Sequence, residues 1–145
     1  MKKGVDFVGI SINYFCMDGK GRFLMAKRTN NCRDEWGKWD TGGGGLEVGD
    51  TIEETLRKEI KEEYCTDVLS FEFLGHSEVF REHEGMKTHW LAMQYKVLVD
   101  PEKVANGEPH KFSQLEWFTL DSLPPASELH SQLPKAIERY KGKLN

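Results

Sequence analysis

Residues 42–66 read GGGGLEVGDTIEETLRKEIKEEYCT, and no other stretch restricts what the chain can fold into as much. Four consecutive glycines lead toward Thr51, with Glu54 three residues further on. That spacing predicts a capping-box helix start, in which each side chain satisfies the other's free backbone N–H. No proline or glycine interrupts Ile52 to Tyr64. On a helical wheel Ile52, Leu56, Ile60 and Tyr64 form one apolar stripe, with Glu53, Glu54, Arg57, Lys58 and Lys61 on the outer side. Glu59 and Glu63 fall at the edge of the apolar stripe, and Glu62 lies beside them. Residues three and four apart on a helix are neighbours, so each such like-charge pair costs about 0.2–0.5 kcal/mol at a solvated surface and more when partly buried. One reading is a solvated acidic face. The other is a site for a hard divalent cation, since oxygen-only ligands suit Mg²⁺ or Mn²⁺. The glycine-rich entry and the wheel position favour the cation.

The remaining elements follow from pattern. Val5 to Cys16 mixes β-branched and aromatic residues and predicts a strand; MDGKGR is a turn, and Phe23 to Arg28 returns as its hairpin partner. Thr29 to Lys38 is a polar loop. Val68 to Phe80 and His89 to Val99 are predicted strands joined by a charged turn, REHEGMK. A loop with Gly107–Glu108–Pro109 leads to a short strand at Leu115–Thr119. A last helix spans about Ser131 to Lys141, with Pro134 in its first turn and Leu133, Ile137 and Tyr140 facing the core. Strands before and after one central helix, with a closing helix, predict an α/β fold with a mixed sheet between helices. At 145 residues the chain reads as one domain, 1–145.

The glycine-to-helix stretch resembles the Nudix box, G-x5-E-x7-R-E-U-x-E-E-x-G-U, with U a bulky aliphatic, over Gly44–Thr66. Gly44 takes the first place, Asp50 the first acid and Lys58 the basic position, and Glu59, Ile60, Glu62 and Glu63 match the core. Glu47 and Gly49 stand at the loop's usual inner positions. Asp50 for Glu, Lys58 for Arg, Cys65 for the closing Gly and Thr66 for the final aliphatic depart from the pattern. Lys58 keeps a charge but lacks the planar guanidinium fork. Cys65 is strained if its position is left-handed, as a helix-ending glycine usually is.

The resemblance implies the Nudix α/β/α sandwich and hydrolysis within the pyrophosphate of a nucleoside diphosphate-linked substrate. It makes Glu59, Glu62 and Glu63, with Gly44, the metal set, and Lys58 part of the catalytic box. The chain is similar to the MutT-like members at GEP, which marks Glu108 as an additional metal-associated carboxylate, with Glu82 and Glu84 as rivals. Arg28 matches an arginine that binds a substrate phosphate, as against pairing with a surface acid. Trp39, beside Gly37 and Trp36, is either core packing or a wall of the substrate pocket. PPAS lines up with a PPAN segment whose asparagine helps recognise an oxidised guanine. Here Ser127 stands in its place, and a hydroxyl cannot offer the paired donor and acceptor of an amide.

Three functions stay open on the sequence. They are cleavage of a nucleoside triphosphate to monophosphate and pyrophosphate, cleavage of ADP-ribose or a nucleotide sugar, and a nucleotide-sensing or interaction module without catalysis. The net charge of −4 argues against binding of a nucleic-acid polymer or a membrane surface. Cys16, Cys32 and Cys65 have no CxxC spacing, and MKKGVDF lacks the apolar core of a signal peptide, which together point to reduced thiols in a cytoplasm. Monomer and homodimer fit equally.

Overall fold

The computed structural model describes residues 1–145. Its elements are β1 (Gly9–Met17), β2 (Phe23–Arg28), β3 (Trp39–Asp40), β4 (Gly43–Gly45), α1 (Ile52–Tyr64), β5 (Val68–His83), β6 (Met86–Val99), β7 (Phe112–Phe118) and α2 (Leu133–Tyr140), with short 3-10 turns between them. The strands form one mixed sheet ordered β3-β2-β1-β6-β5, with β4 also on β1 and β7 also on β2.

β1 is the centre of the molecule. It runs parallel to β6 from Gly9↔Trp90 to Met17↔Leu98, and it is buried on both faces. Ile12, Tyr14 and Cys16 point into a core closed by Leu56, Ile60 and Tyr64 of α1. Phe15 and Met17 point the other way, into a second core closed by Leu133, Ile137 and Tyr140 of α2. The predicted α/β/α sandwich is therefore what forms, with one helix per face. The wheel stripe of α1 holds as well: Leu56, Ile60 and Tyr64 are fully buried, each worth about 1.5–3 kcal/mol of apolar transfer. No helix is long and apolar enough to cross a membrane.

The predicted hairpin of the first two strands does not form as such. β1 and β2 meet only at Met17↔Phe23. The reason is competition for the edge of β1: the glycine strand β4 occupies it, with Ser11↔Gly45, Ile12↔Gly44 and Asn13↔Gly43. β2 splays away and pairs with β7 over Phe23↔Phe118 to Arg28↔Phe112, and with β3 at Lys27↔Trp39. The first strand also starts later than expected, because Lys2–Phe7 forms a turn of its own. The charged turn between β5 and β6 is shorter than REHEGMK suggests. Pairing continues to His83↔Met86, and Glu84 and Gly85 make the turn with φ of 52° and 77°, the positive pair of a two-residue hairpin loop.

Thr51 caps α1, its hydroxyl accepting from Glu54 N at 3.0 Å, but the return bond from Thr51 N to the Glu54 side chain does not form, so only half of the predicted capping box is present. At the other end Cys65 is left-handed, φ 59° and ψ 9°. The loop before β7 then caps the helix from outside: Ala105 N donates to Tyr64 O and Gly107 N to Glu63 O, both at 3.0 Å. A left-handed residue with a side chain costs about 1–2 kcal/mol relative to glycine, part of which glycine's own chain entropy returns. Cys65→Gly should therefore raise stability by about 0.5–1 kcal/mol, read as a higher denaturant midpoint at unchanged slope. Cys65→Ala, which keeps the Cβ, should show no such gain.

Candidate active site

The site lies where the C-terminal half of α1 meets the glycine strand. Gly42 and Gly44 are required by close approach. A side chain at Gly44 would collide with the Glu59 carboxyl, and one at Gly42 would reach Glu63 Oε1 and the Tyr14 ring at 2.8 Å. The glycines thus let two helix carboxylates lie directly against the sheet. Glu63 is buried, and the Tyr14 hydroxyl donates to its Oε1. Glu59 is half-buried and Glu62 is exposed.

Electrostatics follow from that placement. Burial raises the Glu63 carboxyl to about 8, with Glu59, Asp40 and Glu108 adding to the rise and the Tyr14 hydrogen bond opposing it. Glu59 is also raised, first by burial and then by Glu62 and, more weakly, Glu108. Burial drives the Tyr14 hydroxyl well above its usual range, so it remains a donor. The predicted trio, with Glu108 and Asp40, is therefore one electrostatic cluster. As the side chains stand, however, no three His, Cys, Asp or Glu groups are gathered closely enough to hold an ion. Glu63 is turned onto Tyr14. The donor chemistry fits a hard divalent cation: the cluster offers carboxylate oxygens alone, and its members raise one another's proton affinity.

A cavity of about 370 Å³ opens on this cluster, with Asn13, Arg28, Arg33, Asp40, Glu63 and Trp90 in its wall beside the glycines. It adjoins a second cavity of about 480 Å³ between the sheet and α2, where Ser77, Gln94, Leu133 and Arg139 join Asn13 and Trp90. Arg28 faces the first cavity. Its guanidinium is steadied by Asp34 at 3.4 Å and Asp40 at 3.8 Å, so it is both paired to acids and present in the cleft. Glu108 is largely buried and ion-paired to Lys111 at 3.1 Å. Lys58 lies on the outer face, 3.4 Å from Asp50, so two of the departures from the box meet each other. Their hydrogen bond raises the Lys58 ammonium above its usual range.

Other expected residues lie elsewhere. Trp39 belongs to the core under α2, packed edge-on against Phe118 at 5.2 Å, and core packing accounts for it without a ligand. Ser127 is exposed outside both cavities, its carbonyl accepting from Lys38. Glu82 and Glu84 are at the far tip of the β5–β6 hairpin. In their place the structure brings in Ser11, Asn13, Asp40 and Trp90. A signal for the first two was available. Ser11, Asn13, Phe15 and Met17 share one face of β1, and that face changes from polar to apolar midway, which marks where a core ends and a cleft begins.

The Glu63 shift has a consequence for stability. Between its ordinary value of 4.5 and about 8 the folded protein holds a proton that the unfolded chain has released. Stability of the metal-free protein should therefore fall as pH rises through that window, by an amount on the order of a few kcal/mol. Glu63→Gln, neutral at every pH and still able to accept from Tyr14, should flatten the dependence and raise the metal-free melting temperature at pH 8. Thermal melts from pH 5 to 9 with a chelator present test this, and an unchanged slope in the variant would contradict it.

Known proteins resemble the chain in sequence and in fold. A model of the NUDIX domain matches residues 9–140. Nucleoside triphosphatase NudI of Enterobacter sp. (strain 638) is 40% identical over 114 residues, covering 74% of this chain and 79% of that protein. The oxidized purine nucleoside triphosphate hydrolase of Danio rerio is 30% identical over 98 residues, 61% of this chain and 53% of that protein, so the likeness spans about half of the fish enzyme. The crystal structure of a MutT NUDIX hydrolase from Burkholderia pseudomallei superposes with a TM-score of 0.79 over 92% of this chain and 98% of that one, at 24% identity, and so speaks for the fold alone. With the box, the sandwich and the domain match in agreement, the chain belongs to the Nudix hydrolase family.

Proposed function

We propose that the protein is a Mg²⁺-dependent pyrophosphohydrolase of nucleoside triphosphates, releasing a nucleoside monophosphate and pyrophosphate and acting as one domain. What carries the reading is the meeting of an acidic helix edge, a side-chain-free strand and an arginine in one cleft. The names of the NudI and purine relatives, both triphosphate hydrolases, support the substrate class. The Nudix hydrolases generally need a divalent cation, and here Glu59, Glu62 and Glu63 would hold it, with Mn²⁺ able to replace Mg²⁺. Gly44 contributes by leaving room for the Glu59 carboxylate. Bound there, the ion would screen the phosphate charges and make a bound water more acidic.

The chain's own groups do the rest. Arg28 presents a planar fork to the inner phosphate and is kept in place by Asp34 and Asp40. Glu108, paired with Lys111, would take the proton of the attacking water. Lys58 acts on the box from outside, holding the loop through Asp50. The nucleoside occupies the larger cavity against Trp90, where the Asn13 carbonyl accepts from Ser11 Oγ at 2.9 Å and its amide protons are left to donate to a base. Base selectivity in this reading comes from Asn13 instead of Ser127 or Trp39.

A panel of nucleoside triphosphates, ADP-ribose and nucleotide sugars at fixed Mg²⁺, with products identified, separates the reading from its rivals; no turnover of any triphosphate would remove it. Glu62→Gln and Glu63→Gln should each lower metal-dependent kcat by about 10²–10⁴-fold without loss of fold by circular dichroism. Near-normal turnover in both would mean that the metal site lies elsewhere.

A further inference from the structure

A third cavity has no part in the reaction above. It measures about 400 Å³ and lies between the segment preceding β1 and loop 29–38, with Lys2, Lys3, Arg33, His83 and Trp90 in its wall. Three full positive charges meet one carboxylate there, Glu84, in a chain of net charge −4. Arg33 and Trp90 also line the phosphate cavity, so the two spaces adjoin.

The backbone that carries the cations is fixed from behind, and the cations are open in front. Loop 29–38 is fastened on both sides of Arg33. Asp34 and Glu35 pair with Arg81 at 2.9 and 3.2 Å, Glu35 accepts from Ser131 N at 2.9 Å, and the Trp36 indole donates to Cys32 O at 2.7 Å. The neighbouring acids are thus committed to Arg28 and Arg81, and Arg33 is left without a carboxylate partner. Lys2 belongs to a turn closed by Asp6 N to Lys2 O at 2.8 Å and tied to β6 by His89 N to Gly4 O at 2.7 Å. That turn lies on the Trp90 indole, which a side chain at either Gly4 or Gly9 would strike. The Lys2 ammonium reaches only the Met86 sulfur, at 3.8 Å, a weak acceptor. Lys3 is the partial exception, since it already bridges Glu47 at 2.8 Å and Leu46 O at 3.1 Å.

An unpaired guanidinium on a braced loop and an ammonium beside a phosphate cleft form a receptor for further phosphate oxygens. We propose that this cavity is an annex that takes the terminal phosphates of the substrate, with Arg33 and Lys2 holding them as the leaving pyrophosphate. The proposal rests on the triphosphate reading. Trp90 lines all three cavities, so nucleoside, inner phosphate and outer phosphates succeed one another around it. A diphosphate brings one phosphate to the annex where a triphosphate brings two, so the annex discriminates by chain length.

The test compares kcat and KM for the tri- and diphosphate of one nucleoside in wild type, Arg33→Ala, Arg33→Lys and the Lys2→Ala/Arg33→Ala double variant. Arg33→Ala should lower the preference for triphosphate over diphosphate about tenfold through KM, the double variant should lower it further, and Arg33→Lys should restore part. Inhibition by inorganic pyrophosphate should weaken in parallel. Equal losses on both substrates, or no loss on either, would overturn the annex. If wild type turns over no triphosphate, the functional reading fails by itself. Calorimetric binding of inorganic pyrophosphate then decides the annex: weaker binding in Arg33→Ala upholds it, and unchanged binding overturns it.

Discussion

The molecule depends on one close approach, that of the inner edge of α1 to a strand made of glycine. Gly42 and Gly44 lie where any side chain would meet the carboxyls of Glu63 and Glu59. The contact has an electrostatic cost, because it takes Glu63 out of water beside other anions. That cost is offset by the same helix's apolar stripe, whose three fully buried residues fill the core on that face. The site is thus strained in its charge and secure in its packing. The same strand also forks the sheet, since β4 on the edge of β1 is what sends β2 to β7 and opens the cleft between them.

Much of this was legible because it is local. The helix limits and the apolar stripe depend on neighbours three and four residues apart, and they stand as read, while the Thr51 cap keeps one of its two expected bonds. So does the second helix with its three inward residues. What was not legible is partner choice. Nothing within β1 or β2 says that the run of glycines at 42–45 competes for the edge between them, so proximity in sequence suggested a hairpin. Trp39 shows the same limit from the side-chain direction. A tryptophan next to a glycine-rich loop looks alike from sequence whether its ring faces a ligand or Phe118, and only the packing of α2 over that face decides. At the β5–β6 turn the charged string hid a tight loop, because Glu84 takes a left-handed conformation usually left to Asn or Asp.

The charge distribution has an order that the net value conceals. The acidic cluster gathers at the α1 edge, the loop before β7 and Asp40 of β3, while the arginines approach from loop 29–38 and its neighbouring strands. Arg28 and Arg81 share Asp34, and Arg81 also holds Glu35. These pairs are partly shielded from solvent and linked through shared partners, so they form a brace in a way that isolated surface pairs do not. The brace sets the height of the loop above the cleft and with it the position of Arg33.

The departures from the box can be weighed by the same physical standards. Asp50 and Lys58 lie 3.4 Å apart, so a shorter acid and a more slender base have been exchanged at two positions that face each other. The contact is a single ion pair on the outer face, from which the Lys58 charge also lowers the proton affinity of Glu59. Cys65 carries a backbone strain that glycine would avoid, yet the helix end it forms is capped twice by the loop at Ala105 and Gly107. That loop is the one that brings Glu108 to the cluster. The closing position of the box and the additional carboxylate are therefore coupled through two backbone hydrogen bonds. For this reason the loss of the closing glycine weakens the helix end without displacing the acids in front of it.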